Sequence, residues 1–142
     1  MKTFTLDEAN RLLPVLGGLL KSALEHKAEL ERLERRAEEL AERVLMSGGS
    51  RLKIEELIAE KGEREQALAR VRELLGEIAA TGVLVKDLDI GLLDFPCQLE
   101  GETVLLCWKM GEAAITHWHG MEEGFKGRKP IDERMTGGGR PN

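Results

Sequence analysis

From Leu16 the chain carries a stripe that steps by three and four residues: Leu16, Leu19, Ala23, His26, Leu30, Leu33, Ala37, Leu40 and Val44. A repeat sustained over about four heptads describes one face of a long helix, and that face needs a partner along its length. Met46-Ser47-Gly48-Gly49-Ser50 interrupts it with glycines suited to reversing the chain. A second stripe follows: Ile54, Leu57, Lys61, Arg64, Leu68, Val71, Leu75 and Ile78, ended by Gly82. The pattern predicts two helices of similar length, each roughly 45 Å at 1.5 Å per residue. A short connection makes them antiparallel. Lys61 and Arg64, with Gly62 beside them, stand where apolar residues belong. They read as snorkelling side chains, or as a notch for an anion or a partner.

Ahead of the first stripe, Thr5-Leu6-Asp7-Glu8 has the spacing of a capping box. It predicts a short helix to about Leu13. Pro14 then kinks that helix or sits in the first turn of the next.

Beyond Gly82 the period changes to two. Val83–Val85, Leu92–Leu99 and Glu102–Lys109 are strand candidates, and Glu100-Gly101 is a hairpin turn between the last two. Pairing Leu99 with Glu102 sets Leu93 against Trp108, Phe95 against Leu106 and Cys97 against Val104 on one apolar face. The other face carries Asp94 opposite Cys107. Cys97 and Cys107 therefore point apart, and a disulfide between them is disfavoured. Pro96 suggests an edge strand or a bulge.

Ala113–His119 is a further strand candidate. A three-residue loop at Met110-Gly111-Glu112 places Trp118 in the core and His117 and His119 beside Asp94 and Cys107. A two-residue loop reverses this. The first parity is favoured, because burying an indole gains more than burying two imidazoles. Residues 120–130 read as glycine-rich and irregular, and Met135–Asn142 as a flexible tail.

The fold class expected is α+β: a long antiparallel helical hairpin with an antiparallel sheet of about three strands packed at its base. Residues 1–82 form the hairpin, 83–134 the β-rich part and 135–142 the tail, in one structural domain. The sheet should lean on Leu12, Leu13, Leu16, Leu74, Leu75 and Ile78.

Every cysteine and tryptophan, and two of the three histidines, fall between Cys97 and His119, so chemistry is sought there. His117 and His119 are candidate ligands for zinc or another divalent metal, with Asp94, Glu112 or Asp89 supplying the oxygen; the bland alternative is a surface or hydrogen-bonded histidine pair. Asp87, Asp89 and Asp94 are candidate acid–base carboxylates, or turn caps. Cys107 beside Asp94, with a histidine one strand away, is a candidate nucleophile set, or an inert buried thiol. His26 reads as a packed histidine. Lys126-Gly127-Arg128-Lys129 is a basic loop for a phosphate or carboxylate, or a solvated turn.

A net charge of −5 and a pI near 5.4 argue against nucleic acid and anionic membrane surfaces as partners. No apolar run approaches the roughly 18 residues of a spanning helix. Met1-Lys2-Thr3-Phe4 does not open a signal peptide. Both observations predict a cytoplasmic protein with its cysteines as thiols.

Phe4-Thr5-Leu6-Asp7-Glu8-Ala9-Asn10 with Leu12-Leu13-Pro14, Val85–Pro96, Leu106-Cys107-Trp108, Gly111-Glu112, Trp118-His119, and Gly124-Phe125 with Gly127-Arg128 and Pro130-Ile131 resemble the bacterial family called domain of unknown function 2203. The resemblance implies a small cytoplasmic bacterial protein and no particular activity. It points to Asp87, Asp89, Asp94, Cys107, Trp108, Glu112, Trp118, His119 and Arg128. A single histidine follows the tryptophan in that pattern, so His117 is a departure, whereas a site on His119, Asp94 and Arg128 is not.

Two functions follow. The first is an interaction or scaffold protein, forming a homodimer or larger homo-oligomer, or meeting another protein, through a second apolar strip of Leu20, Leu24, Leu57, Ile58 and Leu74. The second is a small metal-dependent enzyme or ligand-binding protein, with its site between the sheet and the hairpin base on Asp87, Asp89, Asp94, Cys107, His119 and Arg128.

Overall fold

The structure is a computed structural model that describes residues 1–48 and 51–136, without the side chains of residues 51–53. Gly49 and Ser50 of the expected turn, and the tail beyond Thr136, lie outside the described residues. The elements are α1 (Leu6–Met46), α2 (Arg51–Ala80), β1 (Leu84–Asp87), β2 (Leu92–Leu99), β3 (Glu102–Lys109), β4 (His117–Gly120), a 3-10 turn (Phe125–Gly127), β5 (Lys129–Pro130) and α3 (Glu133–Thr136). The architecture is the expected α+β one: two long helices packed together and an antiparallel sheet. The sheet has five strands rather than three, in the order β1-β2-β3-β4-β5. The chain divides into two compact units, one of Met1–Leu20 with the chain from Leu75 onward, the other of Lys21–Leu74.

In the first unit, the capping box forms as read. The Thr5 N–H donates to Glu8 Oε1 at 2.9 Å and the Glu8 N–H donates to Thr5 Oγ1 at 3.1 Å. The helix does not stop near Leu13: α1 runs through Pro14 to Met46. A proline inside a helix costs about 3 kcal/mol. Burial of Ala9, Leu13, Leu16 and Leu20 on one face, either side of it, offsets that cost. These residues and Ile78 share a core with Phe4, Leu93, Phe95, Cys97, Leu99, Val104, Leu106 and Trp108. Leu12 is half-buried against it. The Phe4 and Phe95 rings meet edge-on, 5.6 Å apart.

The β2–β3 register matches the expectation residue for residue, Leu93 with Trp108, Asp94 with Cys107 and Leu99 with Glu102. Glu100 and Gly101 both adopt positive φ, 50° and 84°, as a two-residue hairpin turn of this hand requires. Pro96 is tolerated because β1 pairs only with Leu92–Asp94. Past that point the free side of β2 receives the chain's N-terminal segment, with the Phe4 N–H donating to the Pro96 carbonyl at 2.7 Å. A bulge does occur, on β1 between Val85 and Asp87.

β4 is shorter than the expected Ala113–His119, yet its parity is the favoured one. His117 pairs with Cys107, Trp118 with Leu106 and His119 with Leu105, so Trp118 turns to the core side. Residues 120–130 are less irregular than expected, holding the 3-10 turn and β5, which pairs with β4. Met135 is not part of a loose tail: it is buried in the core on α3.

In the second unit, α1 presents Ala23, Leu33 and Leu40 as buried residues and α2 presents Ala67, Val71 and Leu74. The inward stripe of α2 therefore runs Leu57, Glu60, Arg64, Ala67, Val71, Leu74, which shifts three positions from the expected Lys61, Leu68 and Leu75. Ala67-Leu68 and Leu74-Leu75 are adjacent apolar pairs, so either register looks apolar in sequence. Glu60, only 12% exposed, bonds to Arg36 of α1 at 3.3 Å, which selects the observed register. Lys61 is exposed. The second apolar strip is not a surface: Leu20 and Leu74 are buried at 0% and 2%, and only Ile58 is well exposed. His26 is half-buried.

Thr5→Ala removes the half of the capping box that uses the Thr5 hydroxyl and leaves the Thr5 N–H bond to Glu8. The expected loss is about 1 kcal/mol in urea denaturation. The hydrogen bonds from Thr5 hold the Glu8 carboxyl below its ordinary value of 4.5, so their contribution is present above that pH and lost as pH falls through the folded value. An NMR titration of Glu8 should show its pKa rise in Thr5→Ala yet stay below the ordinary value, because the Thr5 N–H still donates to it; an unchanged pKa would refute the side-chain half of the assignment.

Candidate functional site

Successive residues of a strand face opposite ways. With Leu93, Phe95 and Cys97 committed to the helix-packed core, Asp94 faces the other side of the sheet, as does Cys107 across from it. His119 sits one step along β4, diagonal to Cys107, within reach on a twisted sheet. Asp94, Cys107 and His119 are all essentially without solvent contact, at 0%, 0% and 1% exposure. Their ligand atoms lie within 4.8 Å of one another, and among the described residues they form the cluster suited to a metal ion. The cluster is on the sheet face away from the packed helices, not between the sheet and the hairpin base.

The imidazole of His119 determines what this cluster can do. Its Nδ1 lies 2.9 Å from the Gly120 carbonyl oxygen. A carbonyl only accepts, so Nδ1 carries the proton. Nε2 then points at Asp94 Oδ1, 3.0 Å away. In a neutral imidazole of this tautomer Nε2 is a lone pair, so lone pair faces carboxylate. A buried contact of that kind requires a cation between the two atoms, either a proton or a metal ion. The second carboxylate oxygen, Asp94 Oδ2, is buried with no hydrogen-bond partner.

The chain after β4 lies at the cluster. Burial pushes the Cys107 thiol above its ordinary range, and the Arg128 guanidinium beside it acts in the opposite direction. Arg128 also lies 4.4 Å over the Phe125 ring and 3.6 Å from Glu112 Oε2. That last distance is an ion pair but too long for a hydrogen bond. Arg128 Nη1 is accordingly buried without a hydrogen-bond partner. Glu112 is held from behind, its Oε1 accepting the Lys109 N–H at 2.7 Å. Glu123 pins the loop: its Oε1 accepts from Lys129 Nζ and the Gly120 N–H, which hold its carboxyl below the ordinary range.

Of the residues singled out from sequence, Asp94, Cys107, His119 and Arg128 are brought together. Asp87 and Asp89 are not. Both are exposed at the β1–β2 connection, where Asp87 Oδ1 accepts the backbone N–H groups of Asp89 and Ile90. His117 faces the same side as Cys107 but is half-buried near the strand end, its Nδ1 paired with Thr116 Oγ1 at 2.8 Å. Cys107, rather than His117, thus completes the cluster with Asp94 and His119. The nucleophile arrangement is not supported by this geometry, because both ring nitrogens of His119 are engaged elsewhere and neither is left to activate the thiol. The Gly120 carbonyl is the contributor sequence reasoning missed. A main-chain acceptor leaves no trace in residue identity, whereas Glu112 stood in the resemblance pattern.

The family model described as "Uncharacterized conserved protein (DUF2203)" matches residues 2–131, and the chain belongs to that family. No curated protein and no solved structure matches it.

Burial of both thiols, each raised by desolvation, predicts that Cys97 and Cys107 resist alkylation by iodoacetamide at neutral pH and react fully in denaturant. Mass spectrometry of the two states checks this. Rapid labelling of Cys107 in the folded protein would mean an exposed, activated thiol.

Proposed function

We propose that this protein binds one divalent transition-metal ion, zinc fitting best, through Asp94 carboxylate, Cys107 thiolate and His119 Nε2. The observation that carries the proposal is His119 Nε2 lying 3.0 Å from Asp94 Oδ1, with Nδ1 facing a main-chain carbonyl and the Cys107 sulfur in the same buried cluster. A ligating histidine ordinarily fixes its tautomer this way. Mixed sulfur, nitrogen and oxygen donors suit zinc, whose bonds of about 2.0–2.3 Å need ligand atoms roughly 3.3–3.8 Å apart. Separations within 4.8 Å reach that with small side-chain adjustments. One carboxylate and one thiolate neutralise a divalent ion, which suits a buried site.

Three protein ligands are the pattern of zinc sites that keep one position for a reacting or exchanging group, whereas structural sites use four. The reading is therefore a metal-dependent enzyme or ligand-binding protein rather than a zinc-stapled scaffold. A reducing cytoplasm suits an unpaired thiolate ligand. Among the described residues no helix is long and apolar enough to cross a membrane. Self-association through the helices has less support, since two of the five residues of its apolar strip, Leu20 and Leu74, are buried within this chain.

Elemental analysis of purified, untagged protein should find near-stoichiometric metal in the wild type and in His117→Ala, and none in His119→Ala or Cys107→Ala. Far-ultraviolet circular dichroism would show whether each variant is folded. A wild type that takes up no metal from excess zinc would leave a proton between His119 and Asp94, and the proposal would fail.

A further inference from the structure

We infer that the fourth metal position accepts a small oxyanion, a carboxylate or a phosphate, shared between the metal and Arg128. The inference rests on the metal reading and adds the class of ligand.

The argument begins with charge. If Asp94 and Cys107 neutralise a divalent ion, the guanidinium beside Cys107 is left with the Glu112 carboxylate as its ion-pair partner at the edge of a dry site. Glu112 is an incomplete partner: it stands 3.6 Å from Arg128 Nη1, and that nitrogen is buried and makes no hydrogen bond. A buried donor of this kind is costly to leave unmade. The planar fork of an arginine matches a carboxylate or phosphate through two parallel hydrogen bonds. An oxyanion entering between metal and guanidinium would give Nη1 its acceptor and fill the metal's fourth position. Glu112 is held by the Lys109 N–H, which keeps it from closing on Arg128 and leaves Nη1 open to an anion. The Phe125 face under the guanidinium holds Arg128 over the site whichever anion it meets.

Cobalt(II) in place of zinc makes the site visible, because a cobalt–thiolate bond absorbs in the near ultraviolet and the visible bands report coordination. Wild-type protein loaded with cobalt should show the thiolate band, and titration with acetate or with inorganic phosphate should shift the visible bands saturably. The comparison of the two anions identifies which oxyanion is preferred. Arg128→Gln should keep cobalt and its thiolate band but bind the anion roughly 10- to 100-fold more weakly. Glu112→Gln, which frees Arg128, should bind it more tightly. Lys126→Gln, which removes a neighbouring positive charge outside the site, should match the wild type. A thiolate band with visible bands indifferent to both anions would overturn the inference while leaving the metal site standing. An anion response undiminished in Arg128→Gln would also overturn it. Absence of the thiolate band would remove the metal reading itself, and this inference with it.

Discussion

Strands β2 and β3 are buried on both faces, and the candidate site follows from that. Burial of Leu93, Phe95, Leu106 and Trp108 against α1 and Ile78 commits the opposite face to Asp94, Pro96, Leu105 and Cys107. Alternation makes the two faces inseparable: slipping the pairing by one residue would send Asp94 into the helix-packed core and Phe95 out of it. The core thus determines the depth at which Asp94 and Cys107 sit, and the return of β4 brings His119 to the same depth. Removing a carboxylate, a thiol and an imidazole from water together is unfavourable unless something compensates. Arg128 stands beside Cys107 and brings a positive charge to the cluster.

Much of this was legible in the sequence where a local rule and a global one agreed. The β2–β3 register was readable to the residue because Glu100-Gly101 supplies a two-residue turn and the flanking residues alternate without a break. The parity of β4 followed from comparing one indole with two imidazoles. The legible part of the site was therefore its facing: Asp94, Cys107 and His119 on one side of one sheet. What spacing alone could not decide was which histidine closes the cluster; only the family resemblance favoured His119. The choice depends on sheet twist favouring the diagonal neighbour of Cys107, and on a main-chain carbonyl that orients the ring. Elsewhere the misreadings have a common origin in ambiguity between neighbours. Ala67-Leu68 and Leu74-Leu75 allow two helical registers, and a strand as short and polar as Lys129–Pro130 has no periodicity to detect.

A second place in the molecule leaves buried polar atoms unmet, and the contrast sharpens the reading of the first. Glu60 Oε2 and Arg64 Nη1, on the inward stripe of α2, also lack hydrogen-bond partners. There the groups are ends of long side chains, and Arg36, the partner of Glu60, is 52% exposed. Small torsional changes let such groups reach one another or water, and a polar layer of this kind typically sets helix register rather than binding anything. Asp94 has no such freedom. Its short side chain projects from the middle of β2, one oxygen is fixed 3.0 Å from His119 and the residue has no solvent contact. The unmet atom of a flexible charged pair can be satisfied by motion unless something fixes it, as the Phe125 ring fixes Arg128, whereas the unmet atom of a rigid buried carboxylate cannot move to find a partner. That difference in rigidity, rather than the presence of charge, is why the binding proposal rests on the sheet cluster and not on the helix pair.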